Sequence, residues 1–369
     1  MHRVPILRRK PLRLATLALC VLVGSVSAQQ LPQETDWRRA NDAVGAFKRG
    51  HVDILKWEQA NLPAESPQIA TPQGTVLLTI EDAVRRAWLV HRELAQVQSR
   101  LGAQNVQMIA TGRWVDLDPS LQRRVEDMGE LLEVAMQARK AWVEAVTARQ
   151  IVGHQQASLE AAQAASDLGK RMVALGNWSR LQQSPVQLAE AKARMELRRA
   201  KLAATQAQSK MIKLLGLAGF ETSLVLPEQL PDVPANAMSE ADLQKSAAAI
   251  RGQLPYAEEL RNKALARSAI EAYLAAHNQA LDSRNFVLKE REYITEETVL
   301  HYNGMLKSVW DLLDEVRNRS QATADAVAAQ RDYWIAETDL QWVLQGGTPG
   351  NFVVLGSGGA GEANAAAGH

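Results

Sequence analysis

The sequence predicts an all-α, elongated fold of two antiparallel coiled-coil hairpins in tandem repeats. Two glycine-centred turns each lead into a long helix whose small and apolar residues are spaced alternately by four and three, the period of a coiled-coil seam. The second set follows the first by 129 positions, which indicates an internal duplication. The seam residues are Ala193, Leu197, Ala200, Ala204, Ala207, Met211 and Leu214, and then Ala322, Ala326, Ala329, Tyr333, Ala336, Leu340 and Val343.

Residues 1–28 have the features of a signal peptide for export. A basic start precedes a mostly apolar run from Leu14 to Val26, and Val26-Ser27-Ala28 is a small-residue cleavage site. A retained membrane anchor is the alternative, although the run is short for a spanning helix. The basic residues are Arg3, Arg8, Arg9, Lys10 and Arg13.

Removal of this segment changes the chemistry of the chain. The segment carries five of the 42 basic residues and none of the 41 acidic ones. The processed chain therefore keeps 37 basic and 41 acidic residues, a net charge of −4. A mildly acidic chain of this kind lacks the excess of basic residues that indicates binding to nucleic acid. Cys20 is the only cysteine, so the processed chain is expected to have neither disulfides nor thiolate metal sites.

The first half should contain an N-terminal segment, 29–77, with a short amphipathic helix at 36–59, and a first helical repeat at 78–219. Thr79 is a predicted helix cap, with Asp82 as its capping-box partner, and the helix should run to about Ala110. A helix from about Ser120 to Ala174 should turn at Gly176 and return over 179–215.

The second half repeats this plan after a proline-bearing linker at 220–237. The repeat spans 238–346, with a helix at about 255–302, a turn at Gly304 and a returning helix at 309–344. The tail, 347–369, is rich in glycine and alanine and is predicted to be disordered. The only strand-like stretches, 76–80 and 352–355, are too short to build a sheet.

Several motifs resemble those of the TolC-like family of bacterial outer-membrane efflux proteins. The second turn supplies Tyr302-Asn303-Gly304-Met305, with Leu312-Leu313 and Gln330-Arg331-Asp332-Tyr333-Trp334 after it, and the first supplies Gly176-Asn177-Trp178-Ser179-Arg180-Leu181. The resemblance implies a homotrimer with a periplasmic helical tunnel. It also implies an exported protein of the periplasm or outer membrane of a Gram-negative bacterium, with a periplasmic adaptor and an inner-membrane pump as partners.

The chain departs from the family where its membrane strands belong. Each family repeat contributes one β-hairpin to an outer-membrane barrel, and a spanning strand needs about 9–11 residues. Only residues 111–118 are available in the first repeat, and there is no room near 251–256 in the second. The sequence therefore predicts a TolC-like helical domain without a complete β-barrel, which speaks against membrane insertion.

The resemblance places adaptor docking at the tips of the two hairpins, and a tight helical hairpin would favour glycine there in any case. The tip residues are Leu175, Gly176, Asn177, Ser179, Gly304, Met305 and Leu306. Acidic residues nearby are candidates for a cation-attracting ring in a trimer, or for an ordinary solvated helix face. They are Glu296, Glu297, Asp311, Asp314 and Glu315.

Other chemistry finds no support in the sequence. The seven histidines show no i,i+4 pair, so no metal site is expected, and no cofactor is expected either. We find no catalytic motif and expect no enzyme activity. The predicted function is efflux as a component of a tripartite pump, acting by assembly and docking. The alternatives are a non-conducting periplasmic coiled-coil interaction protein and an inactive degenerate copy.

Overall fold

A computed structural model describes residues 74–353 and residue 355. The predicted signal peptide, the predicted helix at 36–59 and most of the predicted disordered tail lie outside these residues. Within them the chain is helical, with one minimal parallel strand pair between β1 (Thr75–Val76) and β2 (Leu224–Val225). The sequence predicted no sheet, so this pair is a small correction. No helix of this part is both long and apolar enough to cross a membrane.

The first half contains five helices. The short ones are α1 (Ile80–Val90), α2 (Leu94–Thr111) and α3 (Leu121–Arg124), with a 3-10 turn at Trp114–Asp116. The long ones are α4 (Met128–Ala174) and α5 (Arg180–Leu214). At 1.5 Å per residue, α4 is about 70 Å long.

The second half contains four helices after a 3-10 turn at Gly219–Thr222. They are α6 (Glu240–Arg251), α7 (Tyr256–Asp282), α8 (Leu288–Asn303) and α9 (Val309–Val343). A π-helical turn at Ser283–Val287 joins α7 to α8 without a break, which agrees with the single long helix predicted there. Phe352 and Val353 pack against the core of this half.

The long helices form two antiparallel hairpins that pack side by side in one layer. Helix α5 packs along α4, α4 along α9, and α9 along α7 and α8. All fourteen predicted seam positions are buried or half-buried, since they face these contacts. Helices α5 and α8 therefore form the two outer edges of the layer in the half nearest the turns.

The predicted helix from Thr79 to Ala110 is wrong in one respect, because it is broken. The capping box of Thr79 and Asp82 is present, but α1 ends at Val90 and Gly102 has non-helical dihedral angles within α2. The break lets α1 and α2 pack separately onto the N-terminal half of α4. Trp88 at the end of α1 is buried and donates from Nε1 to the carbonyl oxygen of Leu131, at 3.2 Å.

The helix predicted to begin near Ser120 begins eight residues later, at Met128. Asp127 has a left-handed conformation, with φ of 60°, and separates α3 from α4. Arg123 on α3 donates to the carbonyl oxygens of Gly252 and Gln253, both at 2.9 Å. These tertiary hydrogen bonds hold the segment against the connection between α6 and α7, so the helix does not continue through it.

Charged groups are buried where α4 meets α9 at the end away from the turns. Arg139 donates to Glu337 at 2.8 Å, and Lys140 Nζ lies 2.5 Å from Oδ1 of Asp339. The second pair is close but poorly aligned, because both Asp339 oxygens lack a well-aligned hydrogen-bond donor. Burial raises the pKa of Asp339, and the charge of Lys140 offsets only part of that rise.

Candidate functional site

The two hairpin turns have the same backbone geometry. In the first, Asn177 N donates to Met172 O and Gly176 N to Val173 O; in the second, Leu306 N donates to His301 O and Met305 N to Tyr302 O. This crossed pair of bonds is a Schellman motif, which satisfies the last carbonyl groups of a helix. Equivalent residues of the two turns are 129 positions apart, which is also the offset between the predicted seams.

Both returning helices begin with a capping box. Ser179 Oγ accepts from Gln182 N at 3.2 Å, and the Gln182 side chain accepts from Ser179 N at 2.8 Å. Ser308 and Asp311 make the same reciprocal bonds at 3.3 and 2.8 Å. These contacts satisfy amide groups that a helix start otherwise leaves without partners. Ser179 therefore has a structural role, whatever the tip binds.

Gly304 does not take the left-handed conformation that favours glycine at a hairpin turn, and its predicted part in docking stays a prediction. The left-handed residue of the first turn is Gly176, with φ of 77°, but in the second turn it is Met305, with φ of 58°. Gly304 has φ of −79° and ψ of 5° and corresponds to Leu175 of the first turn. The hydrogen bonds of the motif, and not the position of the glycine, determine which residue takes the left-handed conformation.

The tip exposes three large apolar side chains. Leu175 is 74% exposed, Leu306 is 77% exposed and Met305 is 94% exposed. Gly176, Asn177, Ser179 and Gly304 are exposed as well, so every predicted tip residue is accessible to a partner. The equivalent positions of the first turn hold Gly176 and Asn177, so the apolar surface lies mainly on the second turn.

Most of the predicted acidic ring has other contacts. Asp311 caps α9, Asp314 pairs with Arg317 at 2.5 Å, and Glu297 lies 3.9 Å from His301. The fifth acidic candidate, Glu315, is buried and faces Arg291. Glu296 is exposed, and no ion pair involves it within the described part of the chain. The acidic ring stays a prediction, with Glu296 as its least constrained member.

Acidification should loosen the second turn and leave the first intact. Hydrogen bonds from the side chain and backbone of Ser308 lower the pKa of Asp311 below its ordinary 3.8. A carboxyl group whose pKa is lower in the folded state stabilises that state at pH values above its unfolded-state pKa. This stabilisation is lost as the pH falls from about 4 through the folded-state pKa. Gln182 holds the equivalent position and does not titrate.

Amide hydrogen exchange measured from pH 5 down to pH 2 checks this prediction. After correction for intrinsic rates, amides at the start of α9 should lose protection and those at the start of α5 should not. An Asp311→Gln variant should remove the difference between the turns. Equal loss of protection at both turns in the wild type would contradict the prediction.

Two tryptophans join the hairpins near the turns. Trp178 follows the first turn and Trp310 is the second residue of α9, and their rings stack with centroids 4.5 Å apart and planes at 25°. Gly169 on α4 makes room for this contact, since a Cβ there would lie 3.4 Å from Trp178 and 3.0 Å from Val186. The two tryptophans are 132 positions apart in the chain, so no local pattern in the sequence indicates that they pair.

The outer edges of the layer carry exposed apolar residues at intervals of seven. The stripe on α5 consists of Leu181, Leu188, Met195 and Leu202, and the stripe on the π-helical turn and α8 consists of Phe286, Tyr293 and Leu300. A spacing of seven keeps residues on one face of a coiled-coil helix. The spacing of seven is visible in the sequence and is the signal that could have predicted these stripes.

The charges beside the two stripes are of opposite sign. Lys192, Arg198 and Lys201 on α5 are exposed, and the described residues offer them no ion pair. Glu290, Glu292 and Glu296 on α8 are likewise exposed and form no ion pair there; Lys289 beside them is also exposed and unpaired in the described residues, so three acidic groups face one basic group. Each edge therefore combines an apolar stripe with unpaired charge, basic on one side of the layer and acidic on the other.

Comparison with solved structures finds membrane and channel proteins. A membrane protein from Pseudomonas aeruginosa matches with a TM-score of 0.47 and 11% identity, over 65% of this chain and 74% of that one. CusC, described in terms of folding and transmembrane channel formation, matches with a TM-score of 0.46 and 10% identity, over 73% and 92%. The outer-membrane channel OprN matches with a TM-score of 0.43 and 11% identity, over 66% and 70%.

The likeness to these solved structures is remote. The TM-scores are below 0.5 and the identities near one in ten, so the match provides no information about substrate or partners. No protein-family model matches the sequence. No curated protein matches it.

Proposed function

We propose that this TolC-like chain is a component of a tripartite efflux system. It acts without catalysis, by assembling with copies of itself and by docking its hairpin tips onto a periplasmic adaptor that also engages an inner-membrane pump. Its place of action is the periplasm or outer membrane of a Gram-negative bacterium. The family motifs at the turns support the efflux role, and the pair of apolar edge stripes is the observation that supports assembly.

The edges favour a closed ring over a simple twofold dimer. The basic edge on α5 and the acidic edge on α8 differ, so like edges repel each other and unlike edges attract. Contacts between unlike surfaces generate a ring when the rotation closes. We take the number of chains in the ring to be three, because the family resemblance implies a homotrimer.

The positions of the stripes define a register for this contact. Leu181, Leu188 and Met195 follow the left-handed Gly176 by 5, 12 and 19 residues. Leu300, Tyr293 and Phe286 precede the left-handed Met305 by the same three numbers. In a ring of equivalent copies all tips lie at one level, so residues equally far from the tip meet.

The charges fit the same register. Lys192 is 16 residues after Gly176, and Glu290 is 15 residues before Met305. A pair of this kind on the surface contributes about 0.2–1 kcal/mol, so its main effect is on the choice and register of the partner. The apolar stripes supply most of the free energy of association, since burial of one large apolar side chain contributes about 1.5–3 kcal/mol.

Disulfide cross-linking tests the proposed ring. In a Cys20→Ser background, we expect Leu188→Cys with Tyr293→Cys to form interchain disulfides on oxidation, in a ladder that ends at three chains. The matched control is Leu202→Cys with Tyr293→Cys, which also lies on the stripes. Its residues should be about 20 Å apart along the helices and should not cross-link.

Cell fractionation and phenotype test the rest of the proposal. A soluble periplasmic monomer that forms no disulfide in the first pair would overturn the ring and favour the non-conducting interaction protein. Deletion of the gene should raise sensitivity to metal salts or antibiotics. Unchanged sensitivity across both panels would argue against efflux.

A further inference from the structure

We propose that the π-helical turn at Ser283–Val287 and the buried carboxylate of Glu315 together set the rotation of α8, and that this rotation presents the apolar stripe of α8 to a second copy of this chain. Glu315 is then a positioning residue of the assembly edge. The inference rests on the proposed ring and deepens it, because it identifies what holds the α8 edge in the orientation that assembly requires.

The seam of the second hairpin changes phase at the π-helical turn. On α7 the seam positions are buried and spaced alternately by four and three, and they are Asn262, Ala266, Ala269, Tyr273, Ala276 and Ala280. On α8 this spacing continues at buried or half-buried positions, which are Leu288, Arg291, Thr295 and Thr298. Leu288 follows Ala280 by eight residues, where an unbroken heptad pattern requires seven. The π-helical turn takes up the extra residue and so rotates α8 by one position relative to α7.

This rotation turns the apolar side of α8 away from α9. Thr298 is the only buried residue of α8, and none of the apolar clusters of the described chain includes a residue of this helix. Most of the large apolar residues of the segment are exposed instead, among them Phe286, Val287, Tyr293, Ile294, Val299 and Leu300. A helix at the surface of an isolated chain normally buries its apolar side, so the orientation of α8 suits a partner better than it suits the single chain.

The inner face of α8 is polar and is matched to Glu315 on α9. The Glu315 side chain is 7% exposed, and its Oε2 lies 3.4 Å from Nη1 of Arg291. Thr295 Oγ1 shares its donor between the carbonyl oxygen of Arg291, at 2.7 Å, and Glu315 Oε1, at 3.3 Å. A buried carboxylate without such partners is strongly unfavourable. Glu315 therefore favours the register in which Arg291 and Thr295 face α9.

A regular α-helix through this segment would have a different inner face. The heptad pattern of α7 would continue one residue before each observed seam position, at Val287, Glu290, Ile294 and Glu297. Val287 and Ile294 would then turn toward α9, and Tyr293 would leave the edge. Glu290 would replace Arg291 beside Glu315, so two carboxylates would repel each other, and Ile294 would offer Glu315 no hydrogen bond. Glu315 thus excludes the register that apolar burial alone favours.

The charge of the α8 edge identifies the α5 edge of a second copy as its occupant. Beside the α8 stripe, three exposed glutamates outnumber one exposed lysine, and beside the α5 stripe Lys192, Arg198 and Lys201 are exposed without an ion pair in the described residues. Opposite charges of this kind select the partner and its register. Both stripes have the spacing of seven that a coiled-coil contact needs. A second copy therefore covers the apolar side of α8 that one chain leaves exposed.

Cysteine reactivity measures the register of α8 within a single chain. In a Cys20→Ser background, Thr298→Cys should be protected from a maleimide, because Thr298 is 1% exposed, and Glu297→Cys should react, because the Glu297 side chain is 40% exposed. Glu315→Leu removes the group that excludes the other register. It should reverse the order of the two reactivities, with a change of roughly tenfold in each, since a charged hydrogen bond is lost. The matched control Asp325→Leu replaces an exposed acidic residue of the same helix and should leave the order unchanged.

Deletion of Asn285, an exposed residue of the π-helical turn, separates register from general stability. With one residue fewer, a regular α-helix carries the α7 heptad directly into the observed seam of α8. The deletion combined with Glu315→Leu should therefore restore the wild-type order of reactivity. Interchain disulfide formation between Leu188→Cys and Tyr293→Cys should be lost in Glu315→Leu and recovered when the deletion is added.

An unchanged order of reactivity in Glu315→Leu would overturn the role of Glu315. High reactivity of both cysteines that the deletion does not correct would also overturn it, because α8 would then have loosened and not changed register. If the order reverses and is restored as expected but the chain without these changes forms no interchain disulfide, the proposed ring fails, and the control of the α8 register by Glu315 and the π-helical turn stands.

Discussion

Replacement of Arg139 by methionine should destabilise the fold by about 3–5 kcal/mol. Arg139 and Glu337 are both almost fully buried and share a 2.8 Å hydrogen bond between α4 and α9. Loss of one partner leaves a buried charge without compensation, which costs far more than the pair contributes in net terms. Urea unfolding followed by circular dichroism measures the change.

The double variant Arg139→Met with Glu337→Gln is the control for this prediction. The neutral amide removes the uncompensated charge and can still accept the 2.9 Å hydrogen bond from Gln341. The double variant should recover most of the lost stability, as replacement of both members of a buried ion pair often does. A double variant as unstable as the single one would show that shape, and not charge, is what the site requires.

Replacement of Trp142 by alanine should cost about 3–5 kcal/mol as well. The indole is completely buried and donates from Nε1 to the carbonyl oxygen of Leu77 at 2.9 Å, so it joins α4 to the segment that follows β1. Truncation of a buried tryptophan removes apolar burial and leaves a cavity. Thermal unfolding of the variant would show the loss as a lower Tm.

Trp142→Phe separates the two contributions. It keeps most of the ring and loses the hydrogen bond, so we expect a cost of about 1–2 kcal/mol. As a comparison outside this core, Trp310→Phe should change stability by less, because Trp310 is only half-buried. If Trp142→Phe were as damaging as Trp142→Ala, the hydrogen bond would have to dominate over packing.

The long helices follow from the sequence because their signals are local and repeated. The seam of α5, from Ala193 to Leu214, is buried or half-buried at every predicted position. Ser179, Ser308 and Thr79 cap the helices that they precede, since their side chains need only a partner three residues away. Signals of this range do not depend on the rest of the fold.

Local sequence patterns do not predict the fold where tertiary contacts outweigh local preference. The break between α1 and α2 lets each segment bury its own apolar face on α4. The late start of α4 depends on Arg123, whose partners Gly252 and Gln253 are about 130 residues away in the chain. No pattern within a window of one helix contains that information.

The helical hairpins, their caps and their seams follow from local sequence patterns, because heptad spacing and capping boxes act over a few residues. Which helices are central and which form the edges depends on tertiary packing, and this packing also sets which apolar residues stay exposed. The α5 stripe is as apolar in sequence as a seam, and it is exposed because α4 already occupies the other face. In the same way, the hydrogen bonds that close the second turn put the left-handed strain on Met305 and not on Gly304.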